Sequence, residues 1–190
     1  MANYIIEHLE PELYEWCIIE YKNISKIVGK ENLWITNIQE KEQNKLKDYA
    51  KVSTESITEL NLEKACILDP ESNTLLTPNN SKQFKYLIFG GILGDHPPKK
   101  RTFPELTSKL KFPSFNIGKD QFSTDNAVAV TKEINEGKNL KDLKFQSGLD
   151  IKINDILTTS LPYHYLIKNG KPFISQELIE YIRKKDSLQI

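Results

Sequence analysis

The chain has few of the residues that carry redox or metal chemistry. It has two cysteines, Cys17 and Cys66, with no CxxC and no Cys/His spacing that would hold a metal, so a reduced intracellular thiol pair is expected. Its three histidines, His8, His96 and His164, are scattered, and no metal site is expected from them. Charge of one sign is also missing: 26 basic residues balance 26 acidic ones, so no global field draws the protein to nucleic acid or anionic lipid. No apolar run approaches the roughly 20 residues that span a bilayer, and "MANYIIEHLEPE" has neither a basic n-region nor a long apolar core. A cytoplasmic protein without membrane contact is expected. GxGxxG, GK[ST] and GxSxG are all absent, which argues against dinucleotide sites, triphosphate loops, a nucleotide sensor and serine hydrolase chemistry. At 190 residues, one compact unit with a real core is expected.

Periodic signals are present. "YIIEHL" (4–9) and "LWITNI" (33–38) read as strands. "ACILD" (65–69) and "YLIF" (86–89) are unbroken apolar runs, the pattern of parallel strands covered on both faces. Between the first two, a helix opening at Pro11 is expected from Leu13, Cys17, Tyr21, Ile24 and Val28, with Gly29 at its C-terminal cap. The polar stretch 39–61 is expected to hold a solvated helix with loops, 99–111 a short helix and "PSFNIG" (113–118) a brief strand. Ser123, Thr124 and Asp125 start another helix, with Ala127, Val130, Thr131 and Ile134 on one face and Gly137 at its end. Beyond it come the alternating "LDIKIND", a hairpin at Asn169-Gly170, and a last helix from Ser175, stapled by Ile174 and Ile179.

In an open parallel sheet, ligands gather beyond the carboxyl ends of the strands. Those ends carry Glu7, His8, Glu10, Asn37, Asp69, the segment from Gly90 to His96, and Gly118. Turn-forming propensity alone accounts for Asn37 and Asp69. "GGILGDHPP" (90–98) exceeds what a turn needs: its glycines let backbone approach a ligand, and Pro97 and Pro98 keep a helix from starting at once.

"YIIEHLEP", "CILDP", "FGGILGDHPPKKRT" and "NIGKDQFSTDNAVAVTKEI", in this order, resemble the SPOUT class of methyltransferases. Within it they look like the branch first described as predicted RNA methyltransferases, which includes an arginine methyltransferase acting on a ribosomal protein. The resemblance runs from about Tyr4 to about Tyr165. It implies an α/β fold with a mostly parallel sheet flanked by helices and a C-terminal trefoil knot, an exception to unknotted topology. Residues 1–145 would form the methyltransferase core, and 146–190 a hairpin-and-helix appendage packed on it. S-adenosyl-L-methionine would be held by Leu68, Asp69, Pro70, Gly90, Gly91, Ile92, Leu93, Gly94, Asp95, Ile117, Gly118, Gln121, Ser123 and Thr124. At His164 the chain departs from the family pattern, which has an arginine there.

Methyl transfer to a cationic guanidinium, whose pKa exceeds about 12, calls for acids that orient it and help remove its proton. Glu7, Glu10, Asp69 and Asp95 are the candidates, with catalysis assigned to Glu7 and Asp95 and support of the loop or acceptor to His96 and Arg101. Glu7 would alternatively cap a turn, and Arg101 would pair with a local acid. Lys99, Lys100, Arg101, Lys109 and Lys111 keep an RNA acceptor, in rRNA or tRNA, open as a second reading. A third is a non-catalytic, ribosome-associated binder of the cofactor. The neutral charge leans toward a protein arginine, in a ribosomal protein, and a monomer is preferred to a homodimer.

Overall fold

The computed structural model describes residues 2–92, 94, 97 and 99–187. Along the chain run β1 (Asn3–His8), α1 (Glu15–Val28), β2 (Leu33–Thr36), β3 (Lys51–Val52), β4 (Ala65–Leu68), α2 (Pro78–Ser81) and β5 (Tyr86–Gly91). They are followed by α3 (Thr102–Glu105), β6 (Ser114–Phe115), α4 (Thr124–Asn135), β7 (Phe145–Lys152), β8 (Thr158–Lys168), β9 (Lys171–Pro172) and α5 (Gln176–Ser187). Six strands form one sheet in the order β3-β2-β1-β5-β4-β6, with every pairing parallel. The chain first travels outward from β1 to β3, then crosses to the other side and returns beside β1 as β5. A crevice opens at such a reversal of strand order.

The unbroken apolar runs are explained by cover on both faces. Tyr4, Ile6, Cys66, Leu68, Leu87 and Phe89 pack under Cys17, Tyr21 and Ile24 of α1 and under Val130 and Ile134 of α4. Ile5, Ile67 and Ile88 face the other way, onto Ile57 and Leu106. Both cysteines are free and buried, and burial pushes each thiol up to about 12, so neither is a nucleophile at neutral pH.

Two expectations need correction. The first helix opens at Glu15, not Pro11: Tyr14 is still extended at ψ 157°, because the chain first descends to bury Leu13. The stretch 39–61 contains 3-10 turns at Glu40–Lys45 and Ile57–Glu59 around β3, with no α-helix. Leu46, Ala50 and Ile57 anchor it to the core at spacings that give no helical stripe.

Beyond α4, β7 and β8 form an antiparallel hairpin, and Asn169 and Gly170, at φ 52° and 75°, turn β8 into β9. This region reaches into the core. Tyr165 and Leu166 are buried, and the side chain of Asn126 in α4 donates to the Phe173 carbonyl and accepts from the Leu166 amide.

Candidate functional site

A cleft of about 530 Å³ lies beyond the carboxyl ends of β4, β5 and β6. Of the residues expected to hold a cofactor, Leu68, Asp69, Pro70, Gly90, Ile92, Gly94, Ile117, Gly118, Gln121 and Thr124 line it. Gly91 and Ser123 do not. A Cβ on Gly91 would come 2.5 Å from the hydroxyl of Tyr21 and 3.1 Å from the Glu7 carbonyl, so this glycine lets β5 press against α1. Ser123 donates to Asp125 at 2.6 Å and faces an adjoining smaller cavity. Leu93, Asp95 and His96 lie outside the described residues.

Each wall is held by polar ties. At the end of β4, Asp69 accepts from the Glu71 amide at 2.9 Å and from the Thr107 hydroxyl at 2.6 Å, which fixes the turn. Lys119 donates to the carbonyls of Pro70 and Ser72 at 2.9 and 2.7 Å, joining the β6 exit to the same turn. Gly118 sits at φ 109°, where a side chain is strained. Gly94 is shaped by space: a Cβ there would overlap the Gln121 amide and lie 2.6 Å from the Tyr163 ring. The Tyr163 hydroxyl in turn donates to the Gly94 carbonyl at 2.9 Å, so backbone forms this part of the cleft.

The charged groups at the cleft are largely paired. Arg101 donates to Glu10 at 2.8 Å and to both oxygens of Glu105 at 2.6 and 3.2 Å, and these carboxylates, Glu105 first, hold its proton above the usual range. Lys100 pairs with Glu71 at 2.8 Å. Arg101 is thus a brace between β1's exit and α3. Lys109 and Lys111 are exposed and do not line the cleft.

Glu7, expected to act in catalysis, does not line the cleft. It points to the same face as Ile5, where its carboxylate accepts from Thr36, from Ser56 at 2.7 Å and from the Ile57 amide at 3.0 Å. Three donors make it a structural tie. His164 does not line the cleft. It stacks on Phe145 at 4.9 Å, packs edge-on to Phe122 and bonds Ser147 at 2.8 Å, while its amide donates to the Gln121 carbonyl.

One acidic residue escaped the sequence reading. Glu20, in α1, is 8% exposed and lines the smaller cavity of about 240 Å³. Burial pushes its carboxyl well above the usual range, Asp125's charge adds to this, and a hydrogen bond from Thr124 opposes it. The signal was a glutamate beside Cys17, Tyr21 and Ile24 on the buried stripe of a helix. Among the described residues, no cluster of three or more His, Cys, Asp or Glu is arranged to hold a metal ion, and no helix is long and apolar enough to cross a membrane.

A family model described as protein arginine N-methyltransferase SFM1-like matches residues 3–189. The chain is 34% identical to the protein arginine N-methyltransferase SFM1 of Saccharomyces cerevisiae, over 98% of this chain and 96% of that protein. The crystal structure of yeast SFM1 complexed with SAM matches at TM-score 0.88 and 33% identity, covering 98% of this chain and 92% of that one. The crystal structure of a dual specific Trm10 from Thermococcus kodakaraensis matches at TM-score 0.58 and 18% identity over 75% and 96% of the two chains, a likeness of fold alone.

Proposed function

Because the chain belongs to the SFM1-like family of protein arginine N-methyltransferases, we propose that it methylates an arginine side chain of a ribosomal protein, using S-adenosylmethionine. The observation that carries the cofactor reading is Gly94. Side-chain atoms of Gln121 and Tyr163 occupy the space a Cβ would need, and backbone is left to line a cleft of about 530 Å³. That volume is within the roughly 300–1,000 Å³ of small-molecule sites.

S-adenosylmethionine supplies a methyl group on a sulfonium, open to in-line attack by a lone pair. The chain's own residues bind, orient and exclude water. Gly90, Ile92, Gly94, Ile117, Gly118 and Gln121 form the wall against the cofactor, and Leu68, Asp69 and Pro70 the neighbouring wall. Positioning of the acceptor supplies much of the acceleration. Asp95, which follows Gly94, is assigned proton removal from the acceptor, with His96 beside it, on the strength of the family resemblance. The resemblance likewise supports a trefoil knot in the C-terminal part of the core, a division near residue 145 and a monomer. The composition, with its free buried cysteines, supports a cytoplasmic location.

A protein acceptor is favoured over RNA because three of the cations at the cleft are spent within the fold: Arg101 on Glu10 and Glu105, Lys100 on Glu71, and Lys119 on the carbonyls of Pro70 and Ser72. A phosphate track needs them free. The test is incubation with methyl-labelled S-adenosylmethionine and ribosomes from the source organism lacking this gene, with protein and RNA counted separately. Label is expected in protein and, after acid hydrolysis, in methylarginine. Label in RNA alone overturns the reading.

A further inference from the structure

Beside the cofactor cleft lies the cavity of about 240 Å³, and the two share Ile92, Gly94 and Thr124 as lining residues. The smaller one is lined by α1, the start of α4, β8 and α5. Its chemistry differs from that of its neighbour. Trp16, Tyr163 and Tyr181 present aromatic rings, Leu178 and Ile182 give an apolar wall, and Glu20 places a carboxylate in it. Glu20 is 8% exposed as a residue, and burying a carboxylate without a cation is costly.

We propose that this cavity receives the acceptor arginine, with Glu20 taking the guanidinium and the rings of Trp16 and Tyr181 flanking it. The assignment rests on the arginine methyltransferase reading and adds to it the place and the residues of acceptor recognition. The charge complementarity selects the occupant. A planar cation is matched by a carboxylate and by aromatic faces, whereas a phosphate is repelled. Asp125 from α4 reinforces the negative field from behind, its own oxygens accepting from Asn23, Ser123 and the Asn126 amide. Lys185 of α5 stands exposed at the rim and opposes it there.

The shared lining at Ile92, Gly94 and Thr124 is the boundary the acceptor nitrogen must reach. A new N–C bond forms there as the S–C bond of the sulfonium breaks, leaving a neutral thioether. The guanidinium nitrogen then gives up one proton to a carboxylate or to water, and the methylated group keeps a single positive charge. Glu20 anchors the guanidinium through this change and is a substrate-binding residue.

The test reads binding without turnover. With Trp34→Phe, Trp16 becomes the single indole, and its fluorescence is titrated with Nα-acetyl-L-arginine amide in the presence of S-adenosylhomocysteine. The neutral isostere Nα-acetyl-L-citrulline amide serves as control. The arginine probe is expected to shift the emission and the citrulline probe to bind about tenfold more weakly or worse, as for loss of a charge-assisted hydrogen bond. Glu20→Gln is expected to remove this preference while leaving S-adenosylhomocysteine affinity unchanged. Should Glu20→Gln fail to fold, Tyr181→Lys sets a cation at the half-buried wall and is expected to do the same. Equal response to both probes, preference intact in these variants, or a response to uridine monophosphate in place of arginine overturns the proposal. Methylation of protein arginine by the wild type is measured in parallel. If that persists while the probe result is negative, only the pocket assignment falls; if it is absent, the functional reading itself falls.

Discussion

Glu20 makes an unusual demand on the fold, and the demand has a sign. Its folded carboxyl is held well above the roughly 4.3 of an unfolded glutamate, so the native state binds the proton more tightly than the unfolded chain does. Stability from this group is therefore fully present below about pH 4 and is lost as pH rises from there through the folded value. Glu20→Gln removes the loss. Its melting midpoint is expected to exceed the wild type's at pH 7 and the advantage to vanish near pH 4, measured by thermal denaturation at both. Gain of stability with loss of arginine preference is the pattern of a residue kept for function. Gly91 at the end of β5 and Gly94 beyond it separate in the same way. Gly94→Ala overfills the space against Gln121 and Tyr163, at about 1–3 kcal/mol, and is expected to weaken S-adenosylmethionine binding by about tenfold or more in calorimetric titration. Gly91→Ala instead meets Tyr21 and the Glu7 carbonyl, and is expected to lower the melting midpoint. The glycine loop was legible in the sequence because glycine reports a backbone requirement directly. Glu7 and Glu20 were not, since an isolated acid says nothing about the face it occupies: one is met by three donors, the other by a cavity.

Elements were legible where burial leaves a period. α1 and α4 show the helical stripe, and β4 and β5 the continuous run of strands buried on both sides. The region 39–61 left no period because single anchors, Leu46, Ala50 and Ile57, hold irregular backbone. β7 was legible only from Leu149 on: Gln146 and Ser147, both exposed, break the alternation after Phe145, and Gly148, at φ 73°, interrupts the register with β8. Arg101 shows how such elements are fastened around the site. Its fork joins α3 through Glu105 to β1's exit through Glu10, and lysine cannot span both. Arg101→Lys is expected to raise the Kd for S-adenosylmethionine several-fold, because the 99–102 wall loses its brace. The melting midpoint should move little, since exposed and half-exposed ion pairs contribute only about 0–1 kcal/mol. A large fall in midpoint with unchanged affinity would show that the pair supports the fold and not the cleft.

For the molecule as a whole, the question is whether the segment beyond residue 145 folds as an appendage or as part of one cooperative unit. Tyr165 and Leu166 of β8 belong to the buried interior, and Lys22 of α1 pairs with Glu177 of α5 at 3.1 Å. Asn126 gives the strongest argument. It is fully buried: its side-chain oxygen accepts from the Leu166 amide, and its nitrogen donates to the Phe173 carbonyl as well as to Ser123 and Asp125. Removing the segment beyond residue 145 takes away the Leu166 amide and leaves that buried oxygen under-satisfied, at about 1–3 kcal/mol, and uncovers the apolar surface that Leu166 fills. The stability of a whole domain is only about 5–15 kcal/mol. The full chain is therefore expected to unfold in one calorimetric transition, with van't Hoff and calorimetric enthalpies equal, and S-adenosylmethionine is expected to raise that single midpoint by mass action. A chain ending at residue 145 is expected to lack a cooperative transition and to bind no cofactor. Two resolved transitions in the full chain, or cofactor binding by the shortened one, would make the C-terminal segment a separable addition. The wall that β8 and α5 give to the proposed acceptor cavity would then be contributed by a unit that folds independently of the sheet.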